Sequence, residues 1–115
     1  MQLPEKRNEL ALSFYNEEFV LKTLEQINKD LSGLESAEVV FNIDFERDVL
    51  EQLIDQLATI LLKMNNRNIQ QFIYRVDLKE SDFLKSVSKE DDFQELAFLI
   101  IRREAQKVYL RSKFS

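Results

Sequence analysis

The sequence predicts an all-α domain, and three observations support that fold class. Apolar residues recur at the spacing of amphipathic helices along most of the chain. Residues that favour helix N-termini stand immediately before several of these stretches. The chain has 115 residues, nine of them Phe, and 44% are hydrophobic, which is enough for one core. We expect a single domain, 1–115, of four to five helices in a compact bundle or orthogonal array, with residues 1–8 frayed.

The first predicted helix covers residues 16–32. Asn16 is a suitable N-cap, and two glutamates follow it at the positive end of the helix dipole. Gly33 suits a left-handed C-terminal stop. One apolar stripe runs along this helix, formed by Val20, Leu24, Ile27 and Leu31.

Two segments, near 9–15 and 38–44, show a period of two instead. Leu10, Leu12 and Phe14 alternate with other residues in the first, and Val39, Phe41 and Ile43 do so in the second. Such alternation is typical of extended chain. Because no hairpin turn signal joins the segments, we expect extended linkers with inward-facing aromatic residues. A two-stranded sheet is the alternative.

A second helix is predicted over residues 45–64, because its apolar residues form one broad face. Further helices are expected over 67–76 and, opened by a capping box of Asp77 and Glu80, over 79–87. The most deeply buried residues should include Leu53, Leu57, Ile60, Phe72 and Ile100.

The last helix is predicted over residues 89–112, opened by a capping box of Ser88 and Asp91. Its segment 96–101 is apolar on every side, which is typical of a central helix or of one shared between two surfaces. We expect this helix to be central. The alternative is that part of it, especially Phe98, Leu99 and Tyr109, packs against a second chain.

Composition excludes several kinds of chemistry. Without His or Cys the chain has neither the usual nucleophile–base pairs nor the ligands of a di-iron bundle. A single glycine excludes a phosphate-binding glycine loop. The sequence shows no secretory signal and no apolar run long enough to span a membrane. Zero Cys is compatible with the cytoplasm, which is the compartment we expect.

Acidic residues on the second helix are the first candidates for chemistry. Carboxylates at this spacing can hold Mg²⁺, and Glu35 with Glu38 or Asp92 with Glu95 would supply a second pair. The row points away from the leucine face of its own helix, however, so we interpret it as a solvated surface and expect neither metal nor cofactor. The row comprises Asp44, Asp48, Glu51 and Asp55.

The final helix ends in a basic segment. Residues 102–113 contain five cations and one carboxylate, a charge of +4, which leaves −9 for residues 1–101 of a chain whose net charge is −5. Cations in the last turns of a helix complement its dipole. They also suit an acidic partner, whereas the acidic body disfavours nucleic acid. The cations are Arg102, Arg103, Lys107, Arg111 and Lys113.

Glu104 lies on the apolar side of the last helix and therefore needs a partner, because an unpaired buried charge is costly. Lys107 and Arg111 follow it at i+3 and i+7, and Arg75 is a candidate for a more distant ion pair. A structural ion pair is the favoured interpretation. A functional carboxyl group with a raised pKa is the alternative.

These observations favour a non-catalytic interaction or accessory domain that forms a homodimer through its final helix. The candidate interaction residues are Phe98, Leu99, Arg102, Arg103, Lys107, Tyr109 and Arg111. Two alternatives remain open: a carboxylate-only, Mg²⁺-dependent nucleotide or phosphoester hydrolase, and a small acidic inhibitor of the immunity-protein or antitoxin type.

Overall fold

A computed structural model describes residues 3–34 and 39–114, which form six helices and no strands. The all-α prediction is therefore confirmed, with more helices than the four to five expected. The helices are α1 (Arg7–Ser13), α2 (Glu17–Leu31), α3 (Val49–Lys63), α4 (Asn66–Val76), α5 (Glu80–Val87) and α6 (Gln94–Phe114). Over the described ranges, no helix combines the length and the hydropathy that crossing a bilayer would need.

Helix α6 is the central element, as its apolar circumference predicts. It packs against α2, α3, α4 and α5, and every residue from Leu96 to Ile101 is buried. Lys107 contacts Asp30 while Arg111 contacts Gln26, so α6 runs antiparallel to α2.

Three polar side chains begin helices by accepting a backbone hydrogen bond, which satisfies one of the free N–H groups of the first turn. Asn16 accepts from Phe19 N, as predicted for α2. Asp48 and Asn65 accept from the backbone amides three residues later and begin α3 and α4. Gly33 follows α2 at a φ of 81°, the left-handed stop that the sequence predicts.

The expectation of an extended segment near 9–15 is wrong, because α1 occupies most of it. Leu10 and Phe14 are buried whereas Leu12 is exposed. The first two are four residues apart and share one helix face, so their alternation with Leu12 matches a helical spacing as well as a period of two. Residues 1 and 2 lie outside the described part, and fraying of 1–8 stays a prediction.

The segment 39–44 is an irregular linker, consistent with the favoured expectation for 38–44, whose first residue lies outside the described part. Phe41 and Ile43 are half-buried against the core. Side chains of α3 replace a strand partner: Gln56 exchanges two hydrogen bonds with the backbone of Asn42, and Gln52 does the same with Asp44. Two glutamines one turn apart thus hold the linker along the surface of α3.

The predicted starts of α3 and α6 are wrong, as are both capping boxes. Helix α3 begins at Val49 and not at 45, because a turn closed by a hydrogen bond from Arg47 N to Asp44 O precedes it. Asp77 does not open α5 but ends α4 in the left-handed conformation, with a φ of 65°.

Helix α6 begins at Gln94 and not at 89, because Asp92 and Phe93 both have positive φ and break the helical path. Asp91 then accepts a hydrogen bond from Glu95 N at 3.0 Å and serves the first turn of α6. Ser88 instead follows α5 and donates to the carbonyl of Lys85.

The predicted core residues are buried with one exception. Leu53, Leu57, Phe72 and Ile100 have no exposed surface, whereas Ile60 is half-buried. Ile60 lies four residues after Gln56, at the edge of the α3 apolar face, where the helix meets the linker and solvent.

Leu57→Ala should lower the free energy of unfolding by about 2–5 kcal/mol, because the lost methyl groups leave a cavity in a fully packed site. Leu62→Ala on the exposed side of the same helix is the matched control and should change it by less than about 0.5 kcal/mol. Urea unfolding followed by circular dichroism measures both. Equal losses for the two variants would contradict the assigned face of α3.

Candidate functional site

The middle of α6 is not available to a partner. Phe98 and Leu99, both predicted interaction residues, are only 7% and 6% exposed within the single chain. The guanidinium groups of Arg7 and Arg102 cover the Phe98 ring at 5.3 and 5.6 Å from its centroid. Tyr109, the third apolar candidate, is half-buried, and the Lys113 ammonium lies 6.0 Å from its ring centroid.

Two of the predicted basic interaction residues hold α6 to its own chain. Arg103 contacts the Asp77 carboxylate at 3.1 Å, which ties α6 to the end of α4. Arg102 lies 3.7 Å from the Asp82 carboxylate of α5 and donates to the carbonyl of Glu5. These charges are therefore largely used within the fold.

A buried cluster of Asp30, Glu104 and Lys107 lies where α2, α4 and α6 meet. Glu104 has no exposed surface, and Asp30 is also buried. The Lys107 ammonium lies 2.5 Å from Glu104 Oε1 and 3.0 Å from Asp30 Oδ2, so it contacts both carboxyl groups. It also donates to the carbonyls of Arg75 and Val76 at the end of α4.

The predicted ion pair of Glu104 with Arg75 is wrong. Arg75 donates instead to the carbonyls of Asp30 and Ser32 at the end of α2, at 3.1 and 2.7 Å. The cation of Glu104 is Lys107, one turn away on the same helix, which the i+3 spacing indicated.

Asp30 is the member of the cluster that the sequence analysis missed. It continues a row of Thr23 and Gln26 along α2, and all three are buried beside the apolar stripe. Gln26 donates to Asp30 Oδ2 at 3.2 Å and accepts from Arg111 at 2.6 Å, which links the cluster to the surface. Polar residues that recur every three or four positions next to an apolar stripe are the signal that could have revealed this row.

The two carboxyl groups have pKa values shifted in opposite directions. Burial, reinforced by a hydrogen bond with Asp30, raises the pKa of Glu104 to about 9 despite the nearby Lys107. Burial also opposes ionisation of Asp30, but hydrogen bonds from Glu104, Lys107 and Gln26 outweigh it and lower the pKa of Asp30 below its ordinary value. At neutral pH the cluster therefore consists of a protonated Glu104, an ionised Asp30 and the Lys107 ammonium.

The acidic row of α3 is exposed and serves local structure. Asp48 caps α3, and Glu51 forms an ion pair with Arg7 of α1. Asp44 pairs with Arg47, and Asp55 is exposed as well.

The further acidic pairs proposed from the sequence do not join this row. Glu35 and Glu38 lie outside the described residues, while Glu95 lies 3.7 Å from the ammonium of Lys89. Within the described ranges, three or more Asp or Glu side chains nowhere converge as a metal site requires.

Two surface depressions flank α6. One, of about 430 Å³, lies between α2 and α6, and we call it the α2–α6 groove. The other, of about 500 Å³, lies over the ion pairs of Arg102 and Arg103 and is lined by Leu3, Glu5, Leu78 and Leu99 among others.

Comparisons of the chain with protein-family models, with curated proteins and with solved structures find no significant match.

Replacing Asp48 tests whether the acidic row acts only through helix capping. Asp48→Asn should change the free energy of unfolding by less than about 0.5 kcal/mol, because asparagine caps equally well, whereas Asp48→Ala should cost about 1 kcal/mol. Glu51→Gln should also cost less than about 0.5 kcal/mol, as for other exposed ion pairs. Denaturant unfolding measures all three. Equal costs for Asp48→Asn and Asp48→Ala would show that the charge itself is needed, because both variants lose it and only asparagine keeps a capping oxygen.

The stability of the protein should fall as pH rises from about 5 to 9. Glu104 has a folded pKa of about 9 and an ordinary value of 4.5, so the folded state holds a proton that the unfolded state releases. Its contribution is complete below pH 4.5 and is lost as pH approaches 9, with a slope of at most about 1.4 kcal/mol per pH unit. Asp30 acts in the opposite sense and loses its contribution only as pH falls below its ordinary range.

Glu104→Gln should remove that slope, because an amide imitates the protonated carboxyl group and does not titrate. Glu46→Gln, at an exposed position, is the control and should keep the slope of the natural chain. Urea unfolding at pH 5, 6, 7 and 8 gives one slope for each of the three proteins, the natural chain and the two variants. An unchanged slope in Glu104→Gln would contradict the assignment.

Proposed function

We propose that the chain is a non-catalytic protein-interaction domain that forms a homodimer through the last two turns of α6, and that it acts in the cytoplasm. The observation that carries the proposal is the exposure of large apolar side chains at that end of the helix. Leu110 and Phe114 are 37% and 78% exposed. They are four residues apart and therefore lie on one face of α6.

This face differs from the rest of α6 because the packing of the helix ends at Val108. From Leu96 to Val108, every apolar residue is buried, and the polar residues Arg102, Arg103, Gln106 and Lys107 bind other parts of the chain. Beyond it, Leu110 and Phe114 extend past the point where α4 contacts α6 through Arg103. Two large apolar side chains at this position favour burial against a second surface.

Charge supports a second copy as the occupant. Arg111 and Lys113 flank the exposed face, whereas residues 1–101 carry −9. Two copies related by a two-fold axis would each bring a basic, apolar helix end to the acidic body of the other. Arg102, Arg103 and Lys107 contact carboxylates of their own chain, and Arg111 donates to Gln26, so Lys113 supplies most of this attraction.

An interaction domain accounts for the geometry better than the carboxylate-only hydrolase. The acidic side chains of α3 are dispersed over an exposed surface, and Glu104 is enclosed by three helices. A substrate would have to separate α2 from α6 to reach it. The described contacts offer no specific support for an inhibitor that imitates nucleic acid.

Sedimentation velocity over about 1–100 μM should show a concentration-dependent shift towards twice the 13.7 kDa chain mass. Phe114→Ser should weaken the association at least about tenfold, since each dimer loses two buried rings. Tyr74→Ser is the matched control, because Tyr74 is an equally exposed aromatic residue on α4, and it should leave the association unchanged. A monomer throughout the concentration range, or equal association of the two variants, would refute the homodimer.

A further inference from the structure

We propose that the α2–α6 groove binds a phosphate monoester of a small organic molecule. The groove is lined by Lys22, Glu25, Gln26 and Lys29 of α2 and by Val108, Arg111 and Ser112 of α6. Its volume of about 430 Å³ lies within the range of small-molecule sites, about 300–1,000 Å³. The apolar residues of the proposed dimer face, Leu110 and Phe114, do not line this groove, and Arg111 lies at the boundary between the two.

The first argument is the concentration of positive charge. Three of the seven lining residues are cations and one, Glu25, is a carboxylate, so the groove carries +2 in a chain of −5. Lys22 also contacts Glu18 at 3.2 Å, outside the groove, which leaves Lys29 and Arg111 as the stronger contributors. A cationic concavity in an acidic protein attracts anions selectively to that place.

The second argument is that a hydrogen bond to a buried residue of α2 holds the guanidinium of Arg111 in position. It donates to Gln26 Oε1 at 2.6 Å, and Gln26 is itself buried and bonded to Asp30 of the buried cluster. A guanidinium has five N–H donors, so this contact leaves others for a ligand. An arginine that is already ordered loses less conformational entropy on binding and can recognise two phosphate oxygens together.

The third argument concerns the remainder of the ligand. Val108 forms an apolar part of the lining, and Lys22 and Lys29, which also line the groove, each carry a hydrocarbon stem. The groove is several times larger than a phosphate group. Its shape therefore suits an organic group attached to the phosphate better than inorganic phosphate alone.

Isothermal titration of the natural chain with phenyl phosphate, at constant ionic strength, tests the proposal. Phenyl phosphate should bind at least about fivefold more tightly than inorganic phosphate or benzoate, because only it carries both the dianion and the ring. Equal binding of benzoate would show that phosphate is not selected. Equal binding of inorganic phosphate would show that the organic group does not contribute to the affinity. No heat of binding up to about 10 mM would refute the site.

Matched variants locate the binding. Lys22→Ala with Lys29→Ala should weaken it at least about tenfold, whereas the control pair Lys63→Ala with Lys85→Ala, which removes the same charge from exposed positions elsewhere, should leave it within about twofold. Glu25→Gln should strengthen binding, an effect that misfolding cannot produce. Equal losses in the two double variants, or weaker binding in Glu25→Gln, would overturn the assignment. Sedimentation of the same variants shows separately whether dimer formation is affected.

Discussion

The structure depends on one constraint: α6 passes through the centre of a small domain while carrying a carboxyl group on its buried side. Glu104 has no exposed surface, and an isolated buried carboxylate is too costly to retain its charge. Keeping its proton removes that cost, and the adjacent Asp30 and Lys107 then form a compensated pair. This cluster also fixes the position of α2, because Asp30 must lie beside α6 to pair with Lys107.

The same cluster organises the ends of two further helices. The last carbonyls of a helix have no partner within it and require donors from elsewhere. Arg75 of α4 donates to carbonyls at the end of α2, while Lys107 of α6 donates to carbonyls at the end of α4. Each helix thus completes the hydrogen bonding of another. Charged side chains at this junction cap the ends of neighbouring helices, which explains why most cations of the basic segment of α6 form contacts within their own chain.

How much the sequence reveals depends on whether the deciding interactions are local. The bounds of α2, α4 and α5 are predicted to within about one residue, because the apolar stripe of each lies within the segment itself, although the capping box predicted for α5 is wrong. The starts of α3 and α6 are misplaced, because ordinary helix-forming residues there adopt a turn and two positive φ values. The partner of Glu104 is found only in part: Lys107 lies one turn away, whereas Asp30 is 74 positions distant and joins it only through tertiary packing.

Val108 divides α6 into two parts: the part before it is packed within the chain, and the part after it carries the proposed interface. Before that residue, burial explains almost every apolar position, including Phe98 and Leu99, which the sequence alone assigned to a partner. After it, the helix dipole explains why cations stand in the last turns. The dipole gives no reason for Phe114 to be 78% exposed, or for Leu110 to accompany it on one face. Apolar area that neither folding nor electrostatics requires is best explained by contact with another molecule, and this is why the proposed interface moves from the middle of the helix to its end.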